Sequence, residues 1–125
     1  MKHGYLLVMG LVLASFAGQG RACVHPNDIY YWTDMRDAQH YQFDEALNCD
    51  DLPLETLETP LVSLGRIGGE ETVGKITPYL QHDNSQIRYA AAFALGIAKV
   101  PSAGSAIVKA LNTEKDPDVQ YRLAL

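Results

Sequence analysis

Asp83-Asn84-Ser85-Gln86-Ile87-Arg88-Tyr89-Ala90-Ala91-Ala92-Phe93-Ala94-Leu95-Gly96-Ile97-Ala98 is the stretch on which the fold turns. Ile87, Ala91, Ala94, Leu95 and Ala98 recur at helical spacing and mark one side of a helix. His82-Asp83-Asn84-Ser85 reads as the preceding turn, with Asn84 or Ser85 supplying the capping oxygen. Five alanines in this helix (Ala90, Ala91, Ala92, Ala94, Ala98) leave little bulk beyond the backbone, so neighbouring helix axes can approach closely. Gly96 either ends the helix or relaxes its last turn.

Working outward, the pattern repeats. Leu64-Gly65-Arg66-Ile67-Gly68 returns 31 residues later as Leu95-Gly96-Ile97-Ala98. Ile87-Arg88-Tyr89 with Ala92 returns 32 residues later as Val119-Gln120-Tyr121 with Ala124. A period of this length, with room for two helices and two turns in each unit, describes a solenoid. Val73, Ile76 and Leu80 form one face of a helix that starts near Gly69-Glu70-Glu71, and the two glutamates suit the positive end of its dipole. Pro78 kinks or loosens that helix. After Pro101-Ser102, Ala106, Ile107, Ala110 and Leu111 form the next inward stripe, and Lys115-Asp116-Pro117-Asp118 opens a last helix.

Asp83-x-x-x-Ile87-Arg88-x-x-Ala91-Ala92-x-Ala94-Leu95-Gly96 resembles the HEAT-like repeat, including its short version named after phycobilisome lyases. Leu64 to Gly68 before it and Asp116-Pro117-Asp118-Val119 after it keep the same register. The resemblance implies an all-α fold, an α-solenoid of antiparallel helix pairs with about two and a half repeats over residues 54–125. Gln120 stands where an arginine is usual, and Pro60 and Pro78 fall inside expected helices. The order of Trp32-Thr33-Asp34-Met35-Arg36-Asp37, then Leu64 to Gly68, then Ala91-Ala92-Phe93-Ala94-Leu95-Gly96, is similar to the N-terminal helical part of exported proteins that carry a cyclophilin-type prolyl isomerase domain. No segment of this sequence reads as the isomerase barrel. Isomerase activity is expected only with a further domain downstream, and Leu125 stops where the pattern asks for another helical turn and a covering repeat.

The front of the chain reads differently. Met1-Lys2-His3, an apolar run from Tyr5 to Phe16 and the small residues around Ala17 and Ala22 describe a secretory signal peptide over residues 1–22, cleaved after Ala17 or Ala22. The run falls short of the ~20 residues of a bilayer span, so no stable membrane span is expected and the protein is read as periplasmic or secreted. Lipidation of Cys23 would need a Leu and an uncharged residue that Gly20-Arg21-Ala22 does not offer. In an oxidising compartment Cys23 and Cys49 are each other's partners, closing a loop of 27 residues. Residues 23–59 hold nine acids and Arg36 alone as a base, with Tyr30, Tyr31, Trp32, Tyr41 and Phe43 among them. That mixture reads as an ordered, acid-faced N-terminal cap over 23–53, with its aromatics buried.

Function is read from faces rather than motifs. A pI near 5.2 with a net charge of −5 argues against nucleic acid, which needs clustered cations. Tyr89, Phe93 and Ile97 form a stripe away from the core side of their helix, and Tyr121 takes the place of Tyr89 one repeat on. Stacked inner helices would line these residues up on a concave face, as anchors for a protein or peptide partner. The alternative is packing against adjacent repeats. Arg88 is expected to pair with Asp83 or a nearby carbonyl.

No catalytic residues, metal ligands or cofactor are expected. Gly65-x-x-Gly68-Gly69 lacks the Lys-Ser/Thr of a phosphate loop and reads as a turn. His3, His25, His40 and His82 are dispersed. Glu70 and Glu71, like Asp50 and Asp51, read as charges at helix starts. Whether the protein is an enzyme stays open: a bilin-lyase-like activity is implied by the repeat family's name alone.

Overall fold

A computed structural model describes residues 23–49 and 55–125, so the leader expected at 1–22 and the boundary expected at 53–54 lie outside the described residues. Among the described residues all regular structure is helical. The elements are α1 (Pro26–Asp34), α2 (Tyr41–Leu47), α3 (Glu55–Ile67), α4 (Glu70–Ile76) continued by a 3-10 turn (Thr77–Gln81), α5 (Ser85–Ala98), α6 (Ala103–Thr113) and α7 (Pro117–Ala124). The protein is an α-solenoid. None of these helices is long and apolar enough to cross a membrane.

Local chemistry starts and stops each helix. The Asn84 side chain caps α5 by accepting from the Gln86 N–H at 2.8 Å. Asp116 caps α7 by accepting from Asp118 and Val119 N–H groups, with Pro117 in the first turn, where no N–H is needed. Gly68 and Gly69 turn the chain between α3 and α4 at φ 72° and 94°, which side chains adopt reluctantly. Pro78 lacks the N–H that would continue α4, so the α-helix ends at Ile76 and tightens into the 3-10 turn. Pro60, by contrast, sits fully buried inside α3 without ending it.

α1, α3, α5 and α7 pack each against the next in one layer, and α4, the 3-10 turn and α6 pack behind them. The core between the layers holds Leu61, Leu64, Ile76, Ile87, Leu95 and Val119, all at 2 % exposure or less. Leu64 and Leu95, and Ile87 and Val119, are the pairs that the period equates, and they share the same burial. The period also appears as direct contacts. Arg36 Nη2 donates to the Ile67 carbonyl at 2.9 Å, Tyr79 Oη to the Leu47 carbonyl at 3.0 Å, and Lys75 Nζ meets Asp44 Oδ1 at 2.5 Å. Ser102 bonds to Glu70, and Arg122 Nη2 donates to Tyr89 Oη at 2.6 Å. Each of these five pairs joins residues 31 to 33 apart. Three of them reach into α1–α2 and its connection, so that leading helix pair stacks in the register of the repeats behind it.

Cys23 and Cys49 form a disulfide that ties the two ends of the leading pair, with Cα atoms 6.2 Å apart. Several expectations need correction. Of the five aromatics expected to bury, Phe43 is fully buried and Trp32 half-buried, while Tyr30, Tyr31 and Tyr41 are exposed; Ile29, Ala38, Ala46 and Leu47 do the burying instead. Gly65 belongs to α3, not to the turn. Gly96 lies exposed within α5, which ends instead on Lys99 in the left-handed conformation at φ 53°. Leu111 is 36 % exposed and Ala103 takes the buried place on α6, because that helix turns its Ala103–Ala110 side to its neighbours.

Candidate functional site

Helices α3, α5 and α7 together border a groove of about 730 Å³. Three consecutive repeats supply it because each presents the same turn of its helix to one side. α5 contributes Tyr89 and Phe93, and α7 contributes Tyr121. α3 adds Glu58, and the start of α7 adds Asp116 and Asp118. Among the described residues no lysine or arginine lines the groove.

Three of the four residues expected to face a partner are thus brought together. Tyr121 is 66 % exposed, while Tyr89 and Phe93 are half-buried. Ile97 is placed elsewhere: it packs toward α3, where a Cβ added to Gly65 would lie 2.9 Å from its Cγ1. Position on a helical wheel could not separate Ile97 from the others, since it depends on how far α3 overlaps α5.

The rings of Tyr89 and Phe93 already hold one cation. The Arg122 guanidinium carbon lies 4.9 Å from the Tyr89 centroid and 5.0 Å from that of Phe93. Its Nη2 donates to Tyr89 Oη, and its Nε is buried with no hydrogen-bond partner among the described residues. The negative faces of the two rings supply the stabilisation that a hydrogen bond would otherwise give. The alternative reading, that these rings pack against adjacent repeats, therefore also describes part of what they do.

The three groove acids differ in their engagement. Asp116 Oδ1 is occupied by two backbone N–H groups, at 2.9 and 3.3 Å. The carboxylates of Glu58 and Asp118 make no hydrogen bond or ion pair among the described residues. The sequence marks Asp116 and Asp118 as acids at a helix start, which they are, and carries no sign that Glu58 joins them. The fold sets all three beside the aromatic rings.

A second cluster, around Arg88, fastens one repeat to the next. Arg88 grips Glu114 with two parallel bonds, Nε to Oε2 at 2.8 Å and Nη2 to Oε1 at 3.1 Å. Its Nη1 donates to the His82 and Asp83 carbonyls at 2.8 and 3.0 Å. Carbonyl binding was expected for Arg88, but its carboxylate partner is Glu114 rather than Asp83. Burial raises the Glu114 carboxyl, but Arg88's hydrogen bond, the Asp116 and Lys115 N–H groups and Arg88's charge outweigh it and hold the group below the usual carboxylate range. Burial, and then the charge of Asp44, push the Tyr79 phenol up.

The dispersed histidines also have a use. His25, His40 and His82 each accept, through Nδ1, the backbone N–H two residues ahead, at 3.2, 3.4 and 3.0 Å. His25 and His40 thereby cap α1 and α2. His40 also stacks on Trp32 at 3.5 Å between centroids. Among the described residues no three His, Cys, Asp or Glu side chains converge as metal ligands would.

In comparison with known proteins, residues 59–125 match the family model described as HEAT repeats. No curated protein and no solved structure matches the chain.

Proposed function

The chain belongs to the HEAT repeat family, and from that premise we propose that it is an exported protein–protein interaction scaffold whose groove seats a segment of a partner protein. One observation carries the reading: α5 presents Tyr89 and Phe93, and α7 presents Tyr121, beside Glu58 and Asp118, whose carboxylates have no partner among the described residues. Rigid aromatic side chains on a preformed surface make strong anchors, because few rotamers are lost on binding. Photo-crosslinking tests it. A photoreactive residue at position 121 is expected to capture discrete partners that the same residue at Lys109, on the exposed side of α6, does not. Identical captures from both positions, or none from either, would defeat the reading.

Export rests on the basic start and apolar run of residues 1–22, and on the Cys23–Cys49 bridge, which suits an oxidising compartment. A fusion of residues 1–30 to a reporter that folds only after export is expected to be active. A fusion that is made but stays inactive would remove export from the proposal. The link to a prolyl isomerase rests on motif order alone. The coding sequence past residue 125 decides it, a cyclophilin-like barrel there being the expected finding. The bilin-lyase reading rests on the family name, and no residue of the groove favours it.

A further inference from the structure

The groove's chemistry specifies what kind of segment it takes. Its unengaged charged groups, Glu58 and Asp118, are both anionic, Asp116 adds a third carboxylate, and no cation lines the surface among the described residues. An acidic partner would meet uncompensated repulsion, and a wholly apolar one would desolvate Glu58, which is half-buried, without pairing it. The rings beside these acids also accept guanidinium: the chain's own Arg122 lies over Tyr89 and Phe93. Tyr121, 66 % exposed, has no such companion among the described residues.

Resting on the scaffold reading, we infer that the groove binds a basic protein segment, whose Arg or Lys side chains pair with Glu58 and Asp118 and stack on Tyr121. Charge complementarity selects the partner, and the aromatic surface supplies contact area for the aliphatic stems of its basic side chains.

The test uses the whole chain, disulfide intact, as bait for a displayed library of random dodecapeptides. Three forms are compared: the natural protein, Glu58→Gln/Asp118→Asn, and a control of equal charge change on exposed sites away from the groove, Glu45→Gln/Glu71→Gln. Thermal melts establish that all three are folded. The natural protein and the control are expected to enrich Arg- and Lys-containing sequences. A synthetic peptide from that pool should bind the groove variant on the order of tenfold more weakly. Its affinity for the natural protein should also fall as salt rises. Enrichment of sequences without basic residues would overturn the basic-segment inference and leave the scaffold reading standing. So would basic peptides that bind the groove variant and the control equally well. Enrichment of nothing would overturn the inference, and crosslinking at position 121 would then decide the scaffold reading separately.

Discussion

A Cβ added to Gly65 would lie 2.5 Å from the Ala94 carbonyl oxygen and 2.8 Å from the Ala94 Cα. Both are backbone atoms of the facing helix, so α3 and α5 would have to move apart. Gly65→Ala is therefore expected to destabilise by about 1–3 kcal/mol, the range for overpacking a close interface, measured by chemical denaturation. Nothing in the sequence around Gly65 shows this, and the residue reads as part of a glycine-rich turn. Only the position of Ala94, far along the chain, reveals its role. Glu114 offers a second case, because its side chain is 4 % exposed and held by Arg88. Glu114→Gln is expected to cost about 1.5–3 kcal/mol at neutral pH, the range for hydrogen bonds to charged groups. The Glu114 carboxyl is lowered in the folded state, so its contribution is complete above its unfolded value and is lost as pH falls through its folded value. The gap in Tm between natural protein and variant should therefore be full above about pH 5 and narrow as the pH drops below about 4. A gap that stays constant with pH would show that the Arg88 pair is not its source.

At the scale of elements, the leading helix pair α1–α2 is short and capped in part by histidines, and its exposed tyrosines contribute little to its core. The Cys23–Cys49 bridge compensates by closing a 27-residue loop. Chain-entropy arithmetic assigns such a closure about 3.5 kcal/mol. Cys23→Ala/Cys49→Ala should lower stability by about that amount, and hydrogen exchange should speed first in α1 and α2 while α5 stays protected. Equal loss of protection in α5 would show that the leading pair folds as one unit with the repeats. The pairing and the Asp116-Pro117-Asp118 helix start were both legible in the sequence, because both depend on residue type and local spacing. The end of α5 was not. The helix passes over exposed Gly96 and stops only at Ala98, where the capping residue Lys99 adopts the left-handed conformation, and that choice follows from where the next helix docks.

At the scale of the whole molecule, residues one period apart touch, and α1, α3 and α5 each find cover in the next helix of their layer. The groove is a product of that stacking. Tyr121 is 66 % exposed, so Tyr121→Ala should change stability by no more than about 0.5 kcal/mol. It should weaken binding of a selected peptide by tenfold or more, as anchor truncations do, measured by fluorescence anisotropy. Unchanged affinity would place the contact surface elsewhere. The sequence alone determined the helical class, the 31–32-residue pitch, the disulfide pairing and most helix starts, because periodicity, capping chemistry and turn residues act over a few positions. It also picked out Tyr89 and Tyr121 as one recurring position, with Phe93 beside Tyr89 on the same helical stripe. Tertiary structure alone decided that Glu58 joins them, that Ile97 turns toward Gly65, that Arg122 covers two of the rings, and that Arg88 takes Glu114. Each of these depends on the distance and angle between separate helices, which are set by how their side chains interlock.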